Sequence, residues 1–103
     1  MDIDVKIEGN CAIVTIDGNI DVDGGNKLTA SFYELMENDD IKHVKFDLLT
    51  VKSITSSAIG KILKFYKHLE LKKGKMEVVD ISNELHTQFK EIHLNRIIPI
   101  NCN

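Results

Sequence analysis

A chain of 103 residues, 43% hydrophobic and 28% charged, can bury ~60 to 65% of the surface its unfolded form exposes and has the make-up of a soluble globular domain, which excludes disordered and fibrous classes. No apolar run approaches the ~20 residues of a membrane span, and Met1-Asp2-Ile3-Asp4-Val5 lacks a signal peptide's positive start and apolar stretch; one cytoplasmic domain over residues 1–103, without membrane insertion, is expected. The formal net charge of −3 hides eleven acids against four bases in residues 1–50 and five against nine in 51–103, whereas direct nucleic-acid binding calls for a domain-wide basic excess.

Ile3–Glu8 and Cys11–Asp17 are short apolar-polar runs separated by Gly9-Asn10, two residues that tolerate positive φ, and they predict a hairpin. A glycine-containing loop follows Gly18-Asn19-Ile20-Asp21. Leu28, Phe32, Leu35 and Met36 then recur at helical spacing, and this helix stops near Asn38-Asp39-Asp40. Ile41–Leu48 alternates Val44, Phe46 and Leu48 with Lys45 and Asp47, the period of a strand. A second helix opens at Ser56 or Ser57, with Ile59, Ile62, Leu63, Tyr66 and Leu69 as its apolar stripe and Lys61, Lys64 and Lys67 opposite. Lys72-Lys73-Gly74 supplies a cationic last turn and a glycine stop. Met76–Asp80 is the next strand, Ser82 caps a third helix that buries Leu85, Phe89 and Ile92, and Ile97–Ile100 closes the chain as an edge strand, where Pro99 needs no donor. The expected fold is α/β, a single domain with a mixed sheet of about four to five strands and helices packed on it.

Chemistry-bearing residues are few. Cys11 and Cys102 are too far apart for a metal knuckle or redox dithiol. His43, His68, His86 and His93 show no zinc-ligand spacing, and Asp21 and Asp23 have neither a third ligand nor a paired base, so they suit a solvated loop. Asp23-Gly24-Gly25 lacks the Lys-Ser/Thr ending of a phosphate-cradling loop, and the lysines of the second helix suit a solvated face. No nucleophile, base and orienter fall together. Neither catalysis, metal nor cofactor is expected. The exception is Ser56-Ser57, two hydroxyls in the first turn of a helix, where unpaired N–H groups and the dipole's positive end favour an added negative charge. The plain alternative is that Thr55 or Ser56 simply caps the helix.

The order of these motifs resembles the STAS domain family, in particular its anti-sigma factor antagonists (anti-anti-sigma factors). Gly18-Asn19-Ile20-Asp21 is similar to the family's Gly-Glu-Leu-Asp, Asp47 matches the acid ending its Val-Leu-Asp-Leu strand, Thr55-Ser56-Ser57-Ala58-Ile59 lies on its Asp-Ser-Ser-Gly-Leu, and Gly74 falls on its later Gly-Gly. The resemblance implies partner switching in bacterial transcription. The unphosphorylated protein binds an anti-sigma factor that is also a serine protein kinase, phosphorylation of Ser56 (runner-up Ser57) reverses this, and a PP2C-type serine phosphatase resets it. Asp21, Asp23, Thr55, Ser57, Ala58 and Ile59 are the implied partner-binding residues. Three positions depart from the pattern: Thr55 replaces an aspartate, Ala58 a glycine, and His93-Leu94 a Gly-Leu. Thr55 keeps a capping oxygen without the charge. Ala58 favours the helix by up to ~1 kcal/mol while hindering close backbone approach by a partner, and His93 suits a left-handed cap. These departures leave open a second role, as an unphosphorylated STAS subunit of an ABC-type lipid transport assembly or of a stressosome-like scaffold.

Overall fold

The computed structural model describes residues 1–101. Strands β1 (Asp2–Glu8) and β2 (Cys11–Asp17) form an antiparallel hairpin, followed by helix α1 (Val22–Glu37), strand β3 (His43–Leu48), helix α2 (Ser56–Leu71), strand β4 (Lys75–Ile81) and helix α3 (Asn83–Glu91). The sheet order is β1-β2-β3-β4, with β2, β3 and β4 parallel. Gly9, at φ +62°, takes the left-handed position of the hairpin turn, and Asn10 does not need one.

Both parallel crossovers step the same way across the sheet, so the right-handed rule puts α1 and α2 on one face. Their stripes meet the inward rows of the strands. Phe32 of α1 stacks on Phe65 of α2 with ring centroids 4.3 Å apart and meets Phe46 of β3 edge-on at 5.9 Å. Around these rings close Val14, Ile16, Val44, Leu48, Val78, Leu28, Ile62 and Leu69, all buried. Burying side chains of this size contributes ~1.5 to 3 kcal/mol each, which is why the strand alternation and the helix stripes are such strong signals.

The structure corrects the sequence reading in five places. Asp23-Gly24-Gly25 is no loop: it is the first turn of α1, with both glycines buried. The buried row of α2 is Ala58, Ile62, Phe65 and Leu69, while Ile59, Leu63 and Tyr66 flank it half-buried; α2 lies against both α1 and the sheet, which turns its stripe toward Phe65. Ile92 ends α3 exposed, and Leu94 in a short 3₁₀ turn (Leu94–Arg96) fills the core beside Phe89 instead. Ile97–Ile100 is not a strand. Among the described residues a single parallel bridge joins Ile100 to Val78, with Val78 N–H donating to Pro99 O at 2.9 Å and Asn101 N–H to Val78 O at 2.8 Å, because Pro99 has no N–H with which to extend a ladder. Finally, the left-handed residue that ends α2 is Lys73, at φ 60°, rather than Gly74. His93 does adopt the left-handed cap, at φ 61°. Cys102 lies outside the described residues.

Candidate functional site

The loop that leads from β3 into α2 (residues 49–55) is held from four sides. Thr50 Oγ1 donates to Asp17 Oδ1 at 2.7 Å, and Asn19 Oδ1 accepts from Lys52 N–H at 3.0 Å. Ser82 Oγ donates to Val51 O, and Gln88 Nε2 donates to Ile54 O at 2.9 Å. Ile20 and Ile54 form a parallel bridge, Ile20 N–H to Ser53 O and Thr55 N–H to Ile20 O, each 3.0 Å. The residues just after this bridge are Asp21 on one strand of chain and Thr55 on the other. Each caps a helix: Asp21 Oδ1 accepts from Gly24 N–H at 2.7 Å, and Thr55 Oγ1 from Ala58 N–H at 3.3 Å. The bridge therefore starts α1 and α2 side by side, pointing two helix N-termini at one surface.

Gly25 lies where the two helices meet. A Cβ built there would lie 3.4 Å from the Ala58 Cβ, ordinary contact with nothing to spare, and further along the pair Lys61 Nζ of α2 donates to Asn26 Oδ1 of α1 at 2.8 Å.

On this surface Asp21, Asp23, Ser56 and Ser57 are exposed and Thr55 is half-exposed. Ser57 Oγ lies 3.3 Å from Thr55 Oγ1, and the Ser56 hydroxyl has no hydrogen-bond partner among the described residues. The N–H groups of Ser56 and Ser57, first-turn donors that the Thr55 cap does not reach, also have no protein acceptor there. Ile59 is half-buried at the rim. Ala58 has no exposed surface, so its side chain cannot touch a partner; it sets the spacing of α1 and α2, a correction to its place among the partner-facing residues. The sequence reading passed over Gly60. It is exposed one turn after Ser56, and a Cβ built on it would meet nothing within 4 Å. Its signal was available, since a glycine inside an amphipathic helix costs ~1 kcal/mol relative to alanine and here no packing demands it.

The arrangement can accept a phosphoryl group on a free hydroxyl and solvate it with open N–H donors. Among the described residues no group of three His, Cys, Asp or Glu is placed to hold a metal ion, and no helix is long and apolar enough to cross a membrane. A cavity of about 480 Å³ lies away from this surface, beside the last turns of α2, where desolvation and then the Glu70 carboxylate 3.1 Å away push the Tyr66 phenol above its ordinary range.

A family model described as STAS domain matches residues 2–103. An anti-sigma F factor antagonist from Paenibacillus polymyxa is 25% identical over 100 residues, spanning 97% of this chain and 86% of that relative. Among solved structures, an anti-sigma factor antagonist from Mycobacterium paratuberculosis aligns with a TM-score of 0.82 at 18% identity, over 96% of this chain and 83% of that one. The Bacillus cell fate determinant SpoIIAA in its phosphorylated form aligns with a TM-score of 0.76 at 13% identity, over 96% of this chain and 90% of that one. At such identities the solved structures establish the fold, a mixed four-stranded sheet carrying helices, and the family follows from the sequence match: the chain belongs to the STAS domain family.

Proposed function

We propose that this protein is a cytoplasmic anti-sigma factor antagonist that works by partner switching and catalyses nothing itself. Unphosphorylated, it binds an anti-sigma factor with serine kinase activity through the surface formed by Asp21, Asp23, Thr55, Ser56, Ser57 and Ile59, and so frees the sigma factor. Phosphorylation of Ser56 dissolves the complex, and a PP2C-type phosphatase restores it. The observation that carries this reading is the Ser56 hydroxyl, exposed and unpaired among the described residues at the first position of α2 and beside the N-terminus of α1. Thr55, not Ser56, provides the cap, which leaves Ser56 without a structural duty.

Affinity capture of the tagged protein from its own cells, with mass spectrometry of both eluate and bait, tests the assignment. A serine kinase in the eluate with phosphate on part of the Ser56 population is the expected result. A transporter ATPase with an unmodified bait would make the chain a transport subunit, and phosphate on Ser57 alone would move the switch by one residue.

Gly60 gives a separate check. Gly60→Ala fills open space on a helix, so thermal denaturation should show a gain of about 0.8 to 1 kcal/mol. If a partner lies flat on α2 below Ser56, the same methyl group weakens binding by ~5-fold or more in titration calorimetry. Gain of stability with unchanged affinity would place the partner elsewhere.

A further inference from the structure

The two edges of the sheet are treated differently. β4 is bonded on its outer side at Val78, by Pro99 and Asn101, whereas nothing among the described residues pairs with the outer side of β1. The hairpin fixes which groups are left over. Glu8 and Cys11 flank a two-residue turn and form a hydrogen-bonded pair, as do Lys6 with Ile13, Asp4 with Thr15 and Asp2 with Asp17 by alternation. Ile3, Val5 and Ile7 therefore turn their N–H and C=O groups outward. Their side chains lie on the inward face of the sheet but beyond the cover of α1, which leaves Val5 37% and Ile7 52% exposed.

The strand reads Asp2-Ile3-Asp4-Val5-Lys6-Ile7-Glu8, and it complements itself when run antiparallel about Val5. Val5 then faces the second copy's Val5, and Ile3 faces its Ile7. These are the residues whose backbone groups point outward, so all three facing pairs are hydrogen-bonded pairs, with six bonds in total by the antiparallel pattern. Asp4 faces Lys6, twice by symmetry, in the non-hydrogen-bonded positions where side chains approach closest. A lone lysine in an edge strand ordinarily guards against pairing; here Asp4 is its counter-charge when the strand meets itself. The existing Lys6–Glu8 contact of 3.6 Å joins two side chains that are both more than half exposed and is readily exchanged.

We propose that β1 is a self-association edge: a second copy of this chain docks on it antiparallel through a two-fold axis at Val5, giving a continuous eight-stranded sheet. Both copies keep their helices on the same face, and the two Ser56 surfaces point to opposite ends of the dimer. Asp2 meets Glu8 at either end of the ribbon, a like-charge contact in solvent that holds the dimer in the concentration-dependent range.

Sedimentation equilibrium of the full chain from about 10 μM to about 1 mM tests this. The wild type should pass from monomer to dimer. Asp4→Lys sets lysine against lysine twice and should weaken the dimer by ~10- to 30-fold. The double variant D4K/K6D should restore it, yet fail to mix with wild type, since each mixed pair brings like charges together. Val5→Pro removes an N–H that points away from β2, so it spares the internal ladder and abolishes the dimer, with circular dichroism confirming the fold. A monomer at every concentration, or a dimer indifferent to Asp4→Lys and Val5→Pro, overturns the proposal.

Discussion

Phosphorylation of Ser56 is expected to weaken binding of the kinase partner by about 30- to 150-fold while leaving the fold as stable as before. The phosphate adds roughly −1.5 to −2 charges. At ~6 Å from one partner carboxylate and an effective dielectric near ~40, this costs ~2 to 3 kcal/mol of repulsion, which gives the stated factor. Ser56→Asp carries one charge in place of nearly two and should lose only about tenfold; Ser56→Ala should bind like wild type and accept no phosphate. The stability half of the prediction follows from the helix start. A negative group at the first position of α2 meets the positive end of the dipole and the two open N–H donors, worth ~0.3 to 1 kcal/mol in favour of the folded state. The melting temperature of the phosphorylated protein should therefore stay level or rise slightly. Affinity measured by calorimetry and melting by scanning calorimetry on the same samples separate the two effects. Loss of binding accompanied by a lower melting temperature would mean that the phosphate disrupts the surface and does not merely repel.

That Ser56 opens a helix was legible in the sequence, because the strand Val44-Lys45-Phe46-Asp47-Leu48, a polar crossing and the α2 stripe bracket it on both sides. What it would sit beside was not legible from periodicity. The Ile20–Ile54 bridge brings Asp21 next to Thr55 across more than thirty residues of chain, and neither isoleucine belongs to a patterned run that would announce it. Gly24 and Gly25 misled for a related reason. Taken alone they break a helix, yet α1 starts at Val22 because Asp21 caps it, and Gly25 packs against Ala58. Phe65 was missed because a helix pressed between a sheet and a neighbouring helix buries a wider arc than a surface helix, so its single most buried line cannot be chosen from the sequence. The alternating strands posed no such problem, since one face of each is covered and a period of two admits only one assignment.

The Lys73-Gly74 pair at the end of α2 shows the same separation between local and tertiary demands, and predicts opposite responses at adjacent positions. Lys73 holds φ 60°, a conformation in which a Cβ is strained and a glycine is not. Lys73→Gly should therefore leave stability unchanged or raise it by up to ~1 kcal/mol, net of the added freedom of the unfolded chain. Gly74 is not at positive φ, and yet it is the residue that cannot be exchanged. A Cβ there would lie within van der Waals overlap of the Lys42 backbone carbonyl and 3.2 Å from the Leu69 carbonyl. The Lys42 oxygen is also the acceptor for Lys75 N–H at 2.7 Å, and the Leu69 oxygen for Gly74 N–H at 2.7 Å, so these are the bonds that tie the end of α2 to the start of β4 and β4 to the approach of β3. Backbone cannot rotate aside as a side chain does. Gly74→Ala must therefore push β4 off β3 at its first rung, combining overpacking of ~1 to 3 kcal/mol with the loss of a hydrogen bond worth ~1 kcal/mol. The expected loss of ~2 to 4 kcal/mol is a large share of the ~5 to 15 kcal/mol that stabilises a domain. Urea denaturation of the two single variants and of the pair tests it. If Lys73→Gly is the damaging change and Gly74→Ala the harmless one, then neither the left-handed turn at Lys73 nor the close approach of Lys42 to Gly74 exists in solution.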